Sequence, residues 1–148
     1  MLKRFAIAAV ALLATPAFAQ TETAPAAPPA NGDFVMYITP HADQTLDLSM
    51  GFLQLSGGTA TIVRRREMAP ACQFNPGADL SVNAADVTPI RPPAGIEADR
   101  IGQFAALTFH EAAVAKGANP SAEELGCVRA LFTAMAQQSM RGQQAPAH

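Results

Sequence analysis

Tryptophan is absent and Tyr37 is the only tyrosine, so the stacking platform that carbohydrate recognition uses is poorly supplied. Histidine is nearly as scarce, with His41, His110 and His148 the whole set. His110-Glu111 lacks the second histidine that a metalloprotease helix requires. There is no Gly-x-Ser-x-Gly to form a nucleophile elbow, no Cys-x-x-Cys to form a redox dithiol, and no internal repeat. These absences leave no catalytic constellation legible, and the first reading is of a non-catalytic chain without cofactor or metal ion.

Charge is sparse as well, ten Lys+Arg against twelve Asp+Glu for a formal net charge of −2. The first nineteen residues read as an export signal. Lys3 and Arg4 form a basic start, Phe5 to Ala14 an apolar run too short to span a bilayer comfortably, and Ala17-Phe18-Ala19 a small-x-small cleavage site. No cysteine follows that site, which argues against a lipid-modified N-terminus. Cleavage before Gln20 removes Lys3 and Arg4 and no acid, leaving eight basic side chains against twelve acidic, net −4. Nucleic acid requires a basic surface, and an anionic membrane face attracts one, so neither is an expected partner and no stable membrane insertion is expected after cleavage. The expected location is periplasmic or extracellular.

Residues 20–32 carry the Pro/Ala-rich stretch Thr21 to Asn31, read as a disordered tether because it has little apolar bulk and its prolines favour extended, solvated backbone. One folded domain is expected over 33–141, followed by a disordered tail at 142–148. Phe34 to Ile38 is apolar throughout, which suits a strand covered on both sides, and Pro40 ends it. Leu46, Leu48, Met50 and Phe52 alternate with Asp47, Ser49 and Gly51, giving a strand. Leu53 and Leu55 continue the alternation out of phase, as a bulge near Gly51 would allow. A helical face through Ala42, Leu46, Met50 and Leu53, capped by Thr39, fits less well. Ser56-Gly57-Gly58 reads as a hairpin turn into a second strand, Thr59 to Glu67. Prolines then make Met68 to Pro93 loop-rich, with Leu80 to Val82 and Val87 to Ile90 as possible short edge strands.

The C-terminal part reads as a helical hairpin around Gly117-Ala118-Asn119-Pro120. Glu97 and Asp99 begin the first helix, and Lys116 and Gly117 end it. Ser121 and Glu124 form a capping box for the second, with Arg141 in its last turn and Gly142 as its stop. Leu125, Val128, Leu131, Phe132 and Met135 make one apolar stripe on the second helix, with Cys127 at its edge. Ile101, Phe104, Ala105, Thr108 and Ala112, widened by Leu107 and Val114, make the buried side of the first; His110 falls on the opposite, wet side.

The two cysteines of an exported chain are expected to pair as Cys72–Cys127, fastening the proline-rich loop to the second helix. The fold expected is α+β, a small mainly antiparallel sheet from the N-terminal half packed on a C-terminal two-helix hairpin, with one disulfide.

Four residues are candidate ligand contacts: Arg64, Arg66, His41 and Asp43. In Arg64-Arg65-Arg66, alternation puts Arg64 and Arg66 on one face, where they suit a carboxylate or phosphate. The plainer reading of the arginines is a charged strand end that keeps an edge from pairing. His41 and Asp43, with Asp47, match no metal-ligand spacing and fit a solvated turn after Pro40. The mature methionines (Met36, Met50, Met68, Met135 and Met140) serve either as core filling or as the lining of an adaptable groove. The function expected is binding of a protein or small apolar ligand, or support of the envelope. The alternative is a small hydrolase or transferase in which His41, Asp43 and an arginine of 64–66 converge.

Overall fold

A computed structural model of the chain describes residues 27–144; the expected export signal, residues 20–26 of the expected tether and the last four residues of the tail lie outside the described residues. The elements are strands β1 (Phe34–Pro40), β2 (Leu46–Ser56), β3 (Thr59–Ala69), β4 (Gln73–Pro76), β5 (Leu80–Val82) and β6 (Val87–Pro89), then helices α1 (Ala98–Ala115) and α2 (Ala122–Gln144). The architecture is α+β, an antiparallel six-stranded sheet in order β4-β3-β2-β1-β6, with β5 also pairing with β3 and the helical hairpin packed on one face.

β1 is central, held between β2 and β6, and its Val35 and Met36 are both fully buried, on opposite faces. That explains the unbroken apolar run. Met36, Ile38, Leu46, Leu48 and Met50 face the helices and pack with Ala105, Phe109, Val128 and Phe132. Each of the larger side chains among them, fully buried, contributes about 1.5–3 kcal/mol.

The other face holds a second, smaller core of Val35, Leu53, Ala60, Ile62 and Val87. Residues 80–89 pair with β3 through β5 and with β1 through β6, so the segment between them crosses this face and seals it. This second core is why Leu53 breaks the apolar phase of β2. The pairing of β2 with β1 runs without interruption from Leu46 to Phe52, so β2 carries no bulge. The irregularity at that level belongs to β3. Between the pairs Met50–Arg66 and Phe52–Val63, β3 sets two residues, Arg64 and Arg65, against the single Gly51.

β2 and β3 join through Gly57 and Gly58, with φ of 57° and 85°, the two left-handed residues that a tight hairpin between right-twisted strands requires. β4, which the proline content concealed, is an edge strand ending in Pro76, where a missing N–H does no harm.

The capping box is formed: Ser121 N–H donates to the Glu124 carboxylate (2.9 Å), and Glu124 N–H donates to the Ser121 hydroxyl (3.1 Å). Gly117 takes φ +81° and closes α1. The loop between the helices is fixed to the β1–β2 turn by Asn119 N–H donating to the Gln44 carbonyl (2.9 Å). The Cys72–Cys127 bond joins the β3–β4 turn to the first turns of α2, with Cys127 buried.

Several expectations need correction. The buried line of α1 is Gly102, Ala105, Phe109 and Ala113, with Ile101, Phe104 and Ala112 flanking it. Leu107 and Val114 face outward, 57% and 51% exposed. The helices approach through small residues, and that contact, more than apolar bulk, sets the rotation of α1: a methyl at Gly102 would stand 2.0 Å from the Thr133 hydroxyl. α2 runs past Gly142 to Gln144, because Gly142 does not take the left-handed conformation that would end it.

The last residues of the expected tether are fastened. Arg91 donates to the carbonyls of Ala27 (2.8 Å) and Pro28 (3.0 Å) and pairs with Asp33, while Leu55 N–H donates to the Asn31 side chain (2.9 Å). Extended backbone offers its carbonyls outward, which is what a guanidinium can grip. The Arg91 hydrogen bond, supported by the Ala30 N–H, holds the Asp33 carboxyl below the usual carboxylate range.

Candidate functional site

The three arginines of β3 separate by chemistry at the bulge. Arg65 turns to the second face, where it donates to the Ala78 carbonyl (2.6 Å) and the Ser49 hydroxyl (3.1 Å) and pairs with Glu67. Its side chain is mostly buried, and the backbone of Gly77 passes against its guanidinium. Arg65 is therefore structural. Gly51 admits the bulge, since a Cβ there would meet the Val63 carbonyl oxygen at 2.6 Å.

Arg64 and Arg66 take the opposite face, as alternation implies. Arg64 has φ +50°, and both side chains are exposed. The expected edge-guarding role does not apply, because β3 is an interior strand with β2 on one side and β4 and β5 on the other. Instead both arginines line a cleft of about 430 Å³ between the sheet and the C-terminal half of α2. Phe34, Met50 and Phe52 supply the sheet side; Leu131, Ala134, Met135 and Gln138 supply the helix side. Phe34 stands edge-to-face with Phe52 at 5.2 Å and with Phe132 at 5.5 Å, a row that props the sheet wall of the cleft. Phe52 and Met135 are 39% and 38% exposed, large apolar side chains left uncovered at the opening.

The electrostatics are one-sided. Among the described residues no acidic side chain lines this cleft, and neither Arg64 nor Arg66 makes a salt bridge or a side-chain hydrogen bond. Two uncompensated guanidiniums beside apolar side chains stand out on a chain whose formal net charge is −2.

The other candidates lie elsewhere. His41 Nε2 is 2.9 Å from the Asp47 carboxylate, in the exposed β1–β2 turn. Asp43 accepts from the hydroxyl and backbone N–H of Thr45, and those two bonds lower its pKa. Each is thus engaged locally, and the structure does not bring them to Arg64 and Arg66. Among the described residues no group of three His, Cys, Asp or Glu side chains is placed to hold a metal ion, and no helix is long and apolar enough to cross a membrane.

A second cleft, about 360 Å³, opens at the disulfide corner between Leu46, Met68, Cys72 and Cys127. Asp47, Glu123 and Glu124 ring it, and Glu124 is already committed to the helix cap. Asp47 is likewise held, by His41.

Of the residues that make the arginine cleft, the sequence points only to Arg64 and Arg66 and, in general terms, to a methionine-lined groove. Phe34, Phe52, Leu131 and Gln138 escape because they come together only once the β1–β2 register and the rotation of α2 are known. Comparison with models of known protein families, with curated proteins and with solved structures gives no match, so the geometry alone carries the functional argument.

Proposed function

We propose that this chain is an exported, non-catalytic binding domain whose ligand seats in the cleft between α2 and the sheet. The observation that carries this reading is the pairing of uncovered apolar side chains, Phe52 and Met135, with two guanidiniums that nothing else occupies. Phenylalanine, methionine, leucine, alanine, glutamine and arginine include no nucleophile and no general base near neutral pH, so the cleft binds without reacting. Export rests on the N-terminal pattern of residues 1–19. The disulfide fits that reading, since such bonds persist in oxidising compartments.

The test uses methionines as built-in reporters. With the protein carrying ¹³C-labelled methionine methyls, titration with decanol is expected to shift Met135, which is exposed at the cleft, most strongly and to leave Met36, buried in the core away from it, in place. No shift up to saturation with decanol, or shifts spread over all the methionines, would sink the proposal.

A further inference from the structure

We infer that the ligand of this cleft is a single-chain amphiphile with a carboxylate head, the head held by Arg64 and Arg66 and the aliphatic chain laid along Phe52, Leu131 and Met135. This rests on the binding reading above and adds the chemistry of the ligand.

The head follows from charge and shape. A guanidinium offers planar, paired N–H donors that match a carboxylate bidentately, and here two of them line one cleft with no acid among its described walls. Arg65, between them in sequence, is fully engaged by Glu67, Ser49 and the Ala78 carbonyl. The neighbouring positions thus show what a satisfied arginine looks like on the same strand.

The tail follows from the walls. Phe34 already has edge-to-face partners in Phe52 and Phe132, and the only tyrosine, Tyr37, lies under the Lys116 ammonium elsewhere. No pair of aromatic faces is left to sandwich a flat ring. Methionine and leucine side chains, by contrast, re-pack around a flexible chain. The volume of about 430 Å³ lies in the range of small-ligand sites, roughly 300–1,000 Å³.

Overall charge selects a free molecule over a membrane. An anionic bilayer presents a plane of negative charge to the whole protein, which is itself net negative. A lone anion entering the cleft meets chiefly the nearby arginines, because salt screens charges more than about 8–10 Å away.

Isothermal titration of the oxidised protein with decanoate, decanol and acetate tests the inference. Decanoate is expected to bind about ten-fold more tightly than decanol, as two exposed charge-assisted contacts allow, and acetate not measurably. The double substitution Arg64→Gln and Arg66→Gln should abolish the advantage of decanoate over decanol. Should that variant fail to fold, salt serves instead: raising NaCl should weaken decanoate and spare decanol in the unaltered protein. Equal binding of decanoate and decanol would overturn the carboxylate and leave the apolar cleft standing. Loss of binding by every chain-bearing compound would overturn both. Capture by anionic-lipid vesicles in preference to monomeric decanoate would overturn the free amphiphile in favour of a membrane surface.

Discussion

The two halves of α2 do different work. Its first three turns are fastened at every level: the Ser121–Glu124 capping box, the bond from Cys127 to the β3–β4 turn, and the burial of Val128 and Phe132 in the main core. Past Phe132 the helix keeps its geometry but loses most of its cover. Met135 is 38% exposed, and among the later residues described only Ala136 is buried. The cleft lies against this less covered half. A helix fixed at one end and projecting at the other provides a rigid wall whose side chains remain free to adapt. Such a division suits binding, because the framework places the wall without filling the space in front of it.

Breaking the fastened half is expected to have the largest effect. Replacing both Cys72 and Cys127 with serine removes a crosslink spanning 55 residues, for which the chain-entropy account gives a loss of ~4 kcal/mol. Domains of this kind are stable by about 5–15 kcal/mol, so a urea unfolding midpoint should fall by a large fraction. An unchanged midpoint would mean that α2 is held to the sheet by packing alone. Next in size is Gly102→Ala, which sets a methyl 2.0 Å from the Thr133 hydroxyl and 2.5 Å from the Arg129 carbonyl oxygen. Forcing the helices apart there should cost about 1–3 kcal/mol. A neutral result in the same unfolding measurement would show that the hairpin tolerates a wider crossing than it adopts.

How far the sequence reveals this arrangement depends on the range over which each signal acts. The capping box, the Gly57-Gly58 turn, the Gly117 stop and the β2 alternation are local chemistry, and the structure contains them all. The disulfide was legible because two cysteines leave one intrachain pairing. The sequence misleads where a distant contact decides. Leu53 looks out of phase only if the sheet is assumed to have one core, and the crossing segment that supplies the second core arrives some thirty residues later. Leu107 and Val114 look buried until Gly102 turns α1 towards Thr133. In the site, Arg64 and Arg66 were visible as a pair, whereas Phe34 and Phe52 meet only through the register of β1 with β2. His41 and Asp43, chosen for their chemistry, are satisfied locally, by Asp47 at the start of β2 and by Thr45.

The smallest expected effect gives the sharpest test of the division within α2, because the helix carries one glycine in each half. A Cβ at Gly126 or at Gly142 would meet nothing within 4 Å, and neither residue has positive φ. Alanine at either position should therefore favour the helix by about 0.5–1 kcal/mol, through lower freedom in the unfolded chain. Where that gain appears is the informative part. Gly126 adjoins Cys127 and the core, so Gly126→Ala should raise the free energy of global unfolding by nearly the whole amount. Gly142 lies beyond the last buried residue of the helix, where local fraying is decoupled from global unfolding. Gly142→Ala should slow amide exchange in the last turns and leave the urea midpoint where it was. If both substitutions raise the midpoint equally, α2 unfolds as one unit, and its cleft-facing half is as firmly held as the half bonded to the sheet.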